Sequence, residues 1–271
     1  MLPIKKVYVD TKYKTKDSKS NANFKFQLPQ TMYMPDNTVF YVDDVAIPHS
    51  WYTVEDFNKK LYLRVHVSAN GRDDHILQLT QQVYNGQTLA NEIQAKITET
   101  GYSATATYNA AKQTISIALG SFNFQLLTDD ELQSPLPAWS GTSYDKNNLQ
   151  SANELIKNTE NSSTINTLAN PLVTYIDLQP VRNIYISSPN VGSFNTIGPR
   201  GQTPIKKIPV TADFNQMIFD NTLISNEFLD CSKQTLRTLE FRLTNVDGVE
   251  IPFHGSNLSF SLVFDKLDKN S

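Results

Sequence analysis

The stretch Asn257-Leu258-Ser259-Phe260-Ser261-Leu262-Val263-Phe264-Asp265 sets Leu258, Phe260, Leu262 and Phe264 at alternate positions, with Asn257, Ser259 and Ser261 between them. Successive side chains of a strand point to opposite faces, so the run predicts a C-terminal strand with one buried and one polar face. The same period recurs upstream. Leu239, Phe241 and Leu243 alternate with Thr238, Glu240 and Arg242, Phe24, Phe26 and Leu28 with Asn23, Lys25 and Gln27, and Leu61, Leu63, Val65 and Val67 with Lys60, Tyr62, Arg64 and His66. Thr38 to Ile47 is apolar in both phases at its start, as a central strand covered on each side would be. Further strands are expected around 6–11, 174–178, 183–187, 205–210 and 216–220. Asp247-Gly248 supplies the positive φ of a tight hairpin turn, and Pro252 limits how far the returning strand can pair.

Two segments read as helical. Leu89, Ile93 and Ile97 fall on one face, Glu92 and Lys96 pair on another, and Asn85 or Thr88 caps the start. Leu149, Ala152, Leu155 and Ile156 make a weaker second helix. Strands at 105–108, 114–119 and 122–127 follow the first helix, and a helix with hairpins between two strand blocks predicts an insertion. The expected organisation is a jelly roll over 1–68 and 161–271, with an inserted α+β subdomain over 69–160. The fold class is therefore all-β, a single jelly-roll β-sandwich, since the flanking blocks supply roughly the eight strands of two Greek keys.

A chain of 271 residues has room for one such domain with an insertion. Its 24 basic and 27 acidic residues leave a formal charge of −3, so no global field draws it to nucleic acid or membrane. No stretch reaches the length of a membrane span, and the N-terminal residues lack the apolar core of a signal peptide, so an unsecreted chain is expected. The lone Cys231 excludes an intrachain disulfide framework and a multi-cysteine zinc site.

Nothing in the sequence has the spacing of a catalytic site. His49, His66, His75 and His254 form no metal-binding motif, and Arg64-Val65-His66 carries arginine where a cupin-type metal strand would carry a second histidine. The expectation is no enzyme activity, no cofactor and no metal. Asp43-Asp44 and Asp129-Asp130-Glu131 could attract a cation but read more simply as solvated groups, with Thr128 and Glu131 forming a capping box. Lys5, Lys6, Lys12, Lys14, Lys16 and Lys19 crowd the N-terminal region, where phosphate contact with packaged DNA is weighed against a solvated loop. Lys206-Lys207 invites the same caution. Pro48 ends a strand ahead of Trp51 and Tyr52, which could either seal one end of a sandwich or anchor an interface.

Four strings in order carry a resemblance: VDDVAIPHSWYT at 42–53, RNIYISS at 182–188, IKKIPV at 205–210, and LEFRL at 239–243 running through Gly248 to FHGSNLSFSLVF at 253–264. Together they resemble the penton, or minor capsid protein, of Polinton/Maverick elements and, more distantly, of virophages. The resemblance implies a structural subunit of the virion, assembled inside the host cell. It would form homopentamers at the fivefold vertices of an icosahedral capsid beside double-jelly-roll major capsid proteins, with the insertion facing outward. A ring needs two different contact faces, and interface centres favour aromatics, so Trp51, Tyr52, Tyr185 and Phe194 are the contact candidates. The alternative is a carbohydrate-binding jelly roll, lectin-like or serving receptor attachment, in which Trp51 or Trp139 stacks on sugar rings.

Overall fold

In a computed structural model the described residues are 5–134, 139–160, 162–191, 204–221 and 228–266. They form fifteen strands and two α-helices. The first three strands are β1 (Lys5–Asp10), β2 (Asn23–Tyr33) and β3 (Thr38–Pro48). Next come β4 (Lys60–His66), β5 (Arg72–Gln78), α1 (Gly86–Glu99), β6 (Ala104–Asn109), β7 (Thr114–Leu119), β8 (Asn123–Leu126), α2 (Asp129–Gln133) and β9 (Leu172–Tyr175). The chain ends with β10 (Asn183–Ser187), β11 (Pro204–Pro209), β12 (Met217–Asp220), β13 (Leu229–Asp230), β14 (Thr235–Thr244) and β15 (Ser259–Lys266). No helix among these is long and apolar enough to cross a membrane. The chain divides into two compact units, one of Met1–Trp51 with Val181–Ser271 and one of Tyr52–Pro180.

The first unit is a jelly roll, and its pairings show how it closes. Leaving aside the short β13, its first strand pairs with its eighth (β1 with β15), the second with the seventh (β2 with β14), the third with the sixth (β3 with β12) and the fourth with the fifth (β10 with β11), all antiparallel. This is one long hairpin. Rolled on itself, it adds the pairings β15 with β3 and β10 with β14, which give sheets ordered β1-β15-β3-β12 and β11-β10-β14-β2. Phe260 of the first sheet meets Phe24 and Phe241 of the second at ring separations of 6.5 and 4.9 Å, and those two lie 5.5 Å apart. Such tilted and edge-on contacts add about 0.5–1.5 kcal/mol each beyond the area they bury. Pro29 is tolerated in β2 because that strand is an edge and its register with β14 shifts between Leu236 and Thr238.

β15 differs from its expected two-faced character. Phe260, Leu262 and Phe264 point inward as predicted, but Ser261 and Val263 are also buried. The strand lies between β1 and β3, and a shift in register sets Ser261 against both Asp43 and Asp44. The Ser261 hydroxyl donates to Asp44 Oδ1.

The second unit packs two three-stranded sheets, β5-β4-β8 and β6-β7-β9, with α1. Its main core joins Leu61, Leu63 and Val65 of β4 to Leu89, Ile93 and Ile97 of α1 and to Ile115 and Ile117 of β7. β4 is covered on its other face too: Tyr62 packs with Leu127, Leu132, Leu149, Trp139 and Tyr144, and Tyr62 Oη donates to Leu149 O at 2.9 Å. That double coverage explains a difference in boundary. The sequence groups 60–67 with the first part of the jelly roll, whereas β4 is the middle strand of this unit, and β9 also belongs here; the unit runs from Tyr52 to Pro180 and not from 69 to 160.

The helices follow local chemistry in part. Asn85 and Thr88 do not compete for the start of α1: Asn85 caps it and the Thr88 side chain reciprocates. Lys96 turns to Glu99 at 2.9 Å, while Glu92 accepts from Thr80 N at 2.8 Å, so the expected Glu92–Lys96 pair does not form. The Thr128–Glu131 capping box opens α2. The second predicted helix, around 149–156, is absent. Its backbone is spent elsewhere, Gln150 O accepting from Lys60 N and Ala152 N donating to Lys60 O, with positive φ at Gln150 and Lys157.

Candidate interaction surface

The outward faces of the two jelly-roll sheets differ in kind. Along β1, Val7 and Val9 point inward, which leaves Tyr8 outside and 69% exposed; along β12, Ile218 points inward and leaves Phe219 71% exposed. Register places Tyr8 beside Ser261 and Phe219 beside Ala46, so these rings stand at opposite edges of the first sheet's outer face. Tyr41 of β3 meets Phe228 edge-on at 5.1 Å near the same edge as Phe219. Between the aromatic edges lies a polar centre. Lys6 bonds to Asp43 and lies 3.8 Å from Asp44, and the Asp43 hydrogen bond foremost holds the Lys6 ammonium above its ordinary pKa. The carboxylates of the Asp43-Asp44 run therefore tie β3 by side-chain bonds to β15 and, across it, to β1.

The second sheet's outer face is polar and paired. Lys25 lies 3.0 Å from Asp17 and 3.7 Å from Glu240, Asn23 donates to Glu250 at 2.7 Å, and Arg242 lies 3.3 Å from the same carboxylate. Two aromatics share this face: Tyr33 of β2 is 68% exposed, and Tyr185 is half-buried between its register partners Lys207 and Thr244. Lys206, grouped with Lys207 in the sequence as a solvated or phosphate-facing pair, is instead buried and lies 3.6 Å from Asp220. Its register partner Ile186 shows why: that row of β10 and β11 faces the core.

The four contact candidates separate. Trp51 is only 2% exposed, stacked on His49 at 4.2 Å and edge-on to Phe253 at 6.1 Å, so of its two readings the interior seal is the one its packing supports. Tyr52 is half-buried at the start of the second unit, its backbone N–H donating to Glu55 Oε1 at 2.6 Å. Tyr185 lies on the jelly-roll surface, and Phe194 lies outside the described residues. Trp139, the other indole considered for sugar stacking, packs on Tyr62 and Tyr144 and donates its Nε1–H to Thr142 O at 2.8 Å. Sequence reasoning misses Tyr8 and Phe219, although the signal is present: each is an aromatic in the outward phase of a strand whose inward phase is aliphatic.

Among the described residues no group of three or more His, Cys, Asp or Glu side chains could hold a metal ion. Cys231 is buried against Thr38, and burial foremost, then the charge of Asp230, pushes its thiol up to about 12, far from a reactive thiolate.

These features define an all-β protein made of an eight-stranded jelly roll, with a second unit entering the chain between its third and fourth strands. The crystal structure of the selenomethionine-labelled mavirus penton protein shares the fold, with a TM-score of 0.51 over 97% of this chain and 100% of that one, at 10% sequence identity. No protein-family model matches the chain, and no curated protein matches it in sequence.

Proposed function

We propose that this chain is a structural capsid protein: a penton subunit of the kind found in Polinton/Maverick elements and virophages. It assembles into homopentamers at the fivefold vertices of the virion and contacts double-jelly-roll major capsid proteins. The observation that carries the reading is the likeness to the mavirus penton protein over 97% of the chain, which takes in residues of both units and not the widespread jelly roll alone. The four ordered strings between 42 and 264 support the same family.

Function here is assembly, not catalysis. A closed ring uses a heterologous contact, in which one face of each subunit meets a different face of the next. The outward faces of the two sheets differ as such a contact needs: one offers Tyr8, Tyr41, Phe219 and Phe228, the other Tyr33 and Tyr185 with a set of paired charges. Aromatics are enriched at the energetic centres of such contacts. Lys12, Lys16 and Lys19 are exposed and form the part of the basic segment best placed for weak contact with packaged DNA. The second unit is read as the outward-projecting part of the vertex.

The test is assembly of purified protein with and without its aromatic edges. Wild type is expected to form fivefold rings by negative-stain imaging. Tyr8→Asp with Phe219→Asp should leave a folded monomer, because both side chains are already in water in the single chain. Rings that survive the double substitution would remove the first sheet's outer face from the contact.

A further inference from the structure

The geometry points to the outer face of sheet β6-β7-β9 as a binding face for a neutral glycan. In β6, Ala104 and Ala106 point into the core and leave Thr105, Thr107 and Asn109 exposed. In β7, Ile115, Ile117 and Leu119 point inward, so Thr114, Ser116 and Ala118 take the outer phase; in β9 that phase holds Val173 and Tyr175, 60% and 66% exposed. Register aligns them in rows, Thr107 with Ser116 and Val173, and Asn109 with Thr114 and Tyr175. None of these side chains is charged. Thr107, Asn109, Thr114, Ser116 and Val173 line an open depression of about 520 Å³ with Tyr108 and Ala110, Lys112 being its single charged residue; Tyr175 stands next to it in the sheet, in register with Thr114.

Three properties select the ligand. The side-chain hydroxyls of Thr105, Thr107, Ser116 and Tyr175 make no hydrogen bond among the described residues, so a hydroxyl row and an aromatic ring face solvent together. Hydroxyls and the Asn109 amide can each donate or accept, which suits the hydroxyl edge of a sugar, while Tyr175 and Val173 offer apolar area to its C–H face. Nucleic acid would need basic side chains across the face. A protein contact would favour large anchors over Ser and Thr. An anionic sugar would find one cation, Lys112 at the rim, and none along the hydroxyl rows.

The experiment is saturation-transfer NMR on the full chain with a panel of lactose, maltose, cellobiose and N,N′-diacetylchitobiose, with sialyllactose as the charged control. Transfer to at least one neutral sugar is expected, reduced at least about tenfold by Tyr175→Ala and by Thr107→Asp at unchanged thermal stability. Three results would each overturn the assignment: no transfer to any neutral sugar, transfer indifferent to both substitutions, or transfer to sialyllactose alone. The readout does not depend on oligomeric state, so it succeeds or fails separately from the capsid reading.

Discussion

Arg64 and Asp74 face each other across β4 and β5, their side chains 4% and 0% exposed, joined by two bonds of 2.7 and 3.0 Å. Asp74 also accepts from Ser140 N at 2.9 Å, and Gly141 passes so close that a Cβ there would lie 2.1 Å from Asp74 O. Removing one partner of such a pair strands a charge out of water, so Asp74→Ala should cost about 3–5 kcal/mol in chemical denaturation. A loss below about 1 kcal/mol would show that water reaches the guanidinium. Cys231 should fail to react with a thiol reagent at neutral pH in the native protein and react once unfolded, its single equivalent reporting the burial. Asp73 gives a pH signature. The Tyr102 hydroxyl foremost, then His75, lowers its pKa below the ordinary 3.8, so its stabilisation is present above that value and is lost as pH falls through the lower native value. Asp73→Asn should therefore flatten the fall in melting temperature between about pH 4 and about pH 2.

At the scale of elements, alternation is readable wherever one face meets a core and the other meets water, as in β2, β7 and β14. It fails where the outward phase is itself covered. β5 carries Asp73, Asp74 and His75, reads as polar, and escapes the sequence pattern because its burial depends on Arg64 from another strand. The run around 149–156 has helical spacing, but its apolar residues fill two cores while its backbone bonds to Lys60. Ser261 reads as part of a polar face, open to solvent or to a neighbouring subunit, because nothing local announces that β15 is flanked on both sides. The inward side of that strand is the better anchored: Phe260→Ala, which removes the ring joining the two sheets, should cost about 3–5 kcal/mol in the same denaturation experiment.

At the scale of the whole molecule, the jelly roll is legible in the number of strands and their composition, but the order of its strands is not. Pairing first with eighth and second with seventh joins residues more than two hundred positions apart, and only the closed structure selects it. The candidate contact surface is half legible for the same reason. Trp51 and Tyr8 are both aromatics beside strand ends or within strands, and only packing sends one inward and leaves the other in water. The jelly roll thereby presents one face with Tyr8 and Phe219 at its two edges and one whose charges are paired, with Tyr33 at one edge; two unlike faces suit a subunit that stands beside a copy of itself in a ring. The most direct measurement is the mass of the purified protein in solution by light scattering at micromolar concentration and moderate salt. Five times the 30.6 kDa of one chain is the predicted result, and a strictly monomeric species would contradict it.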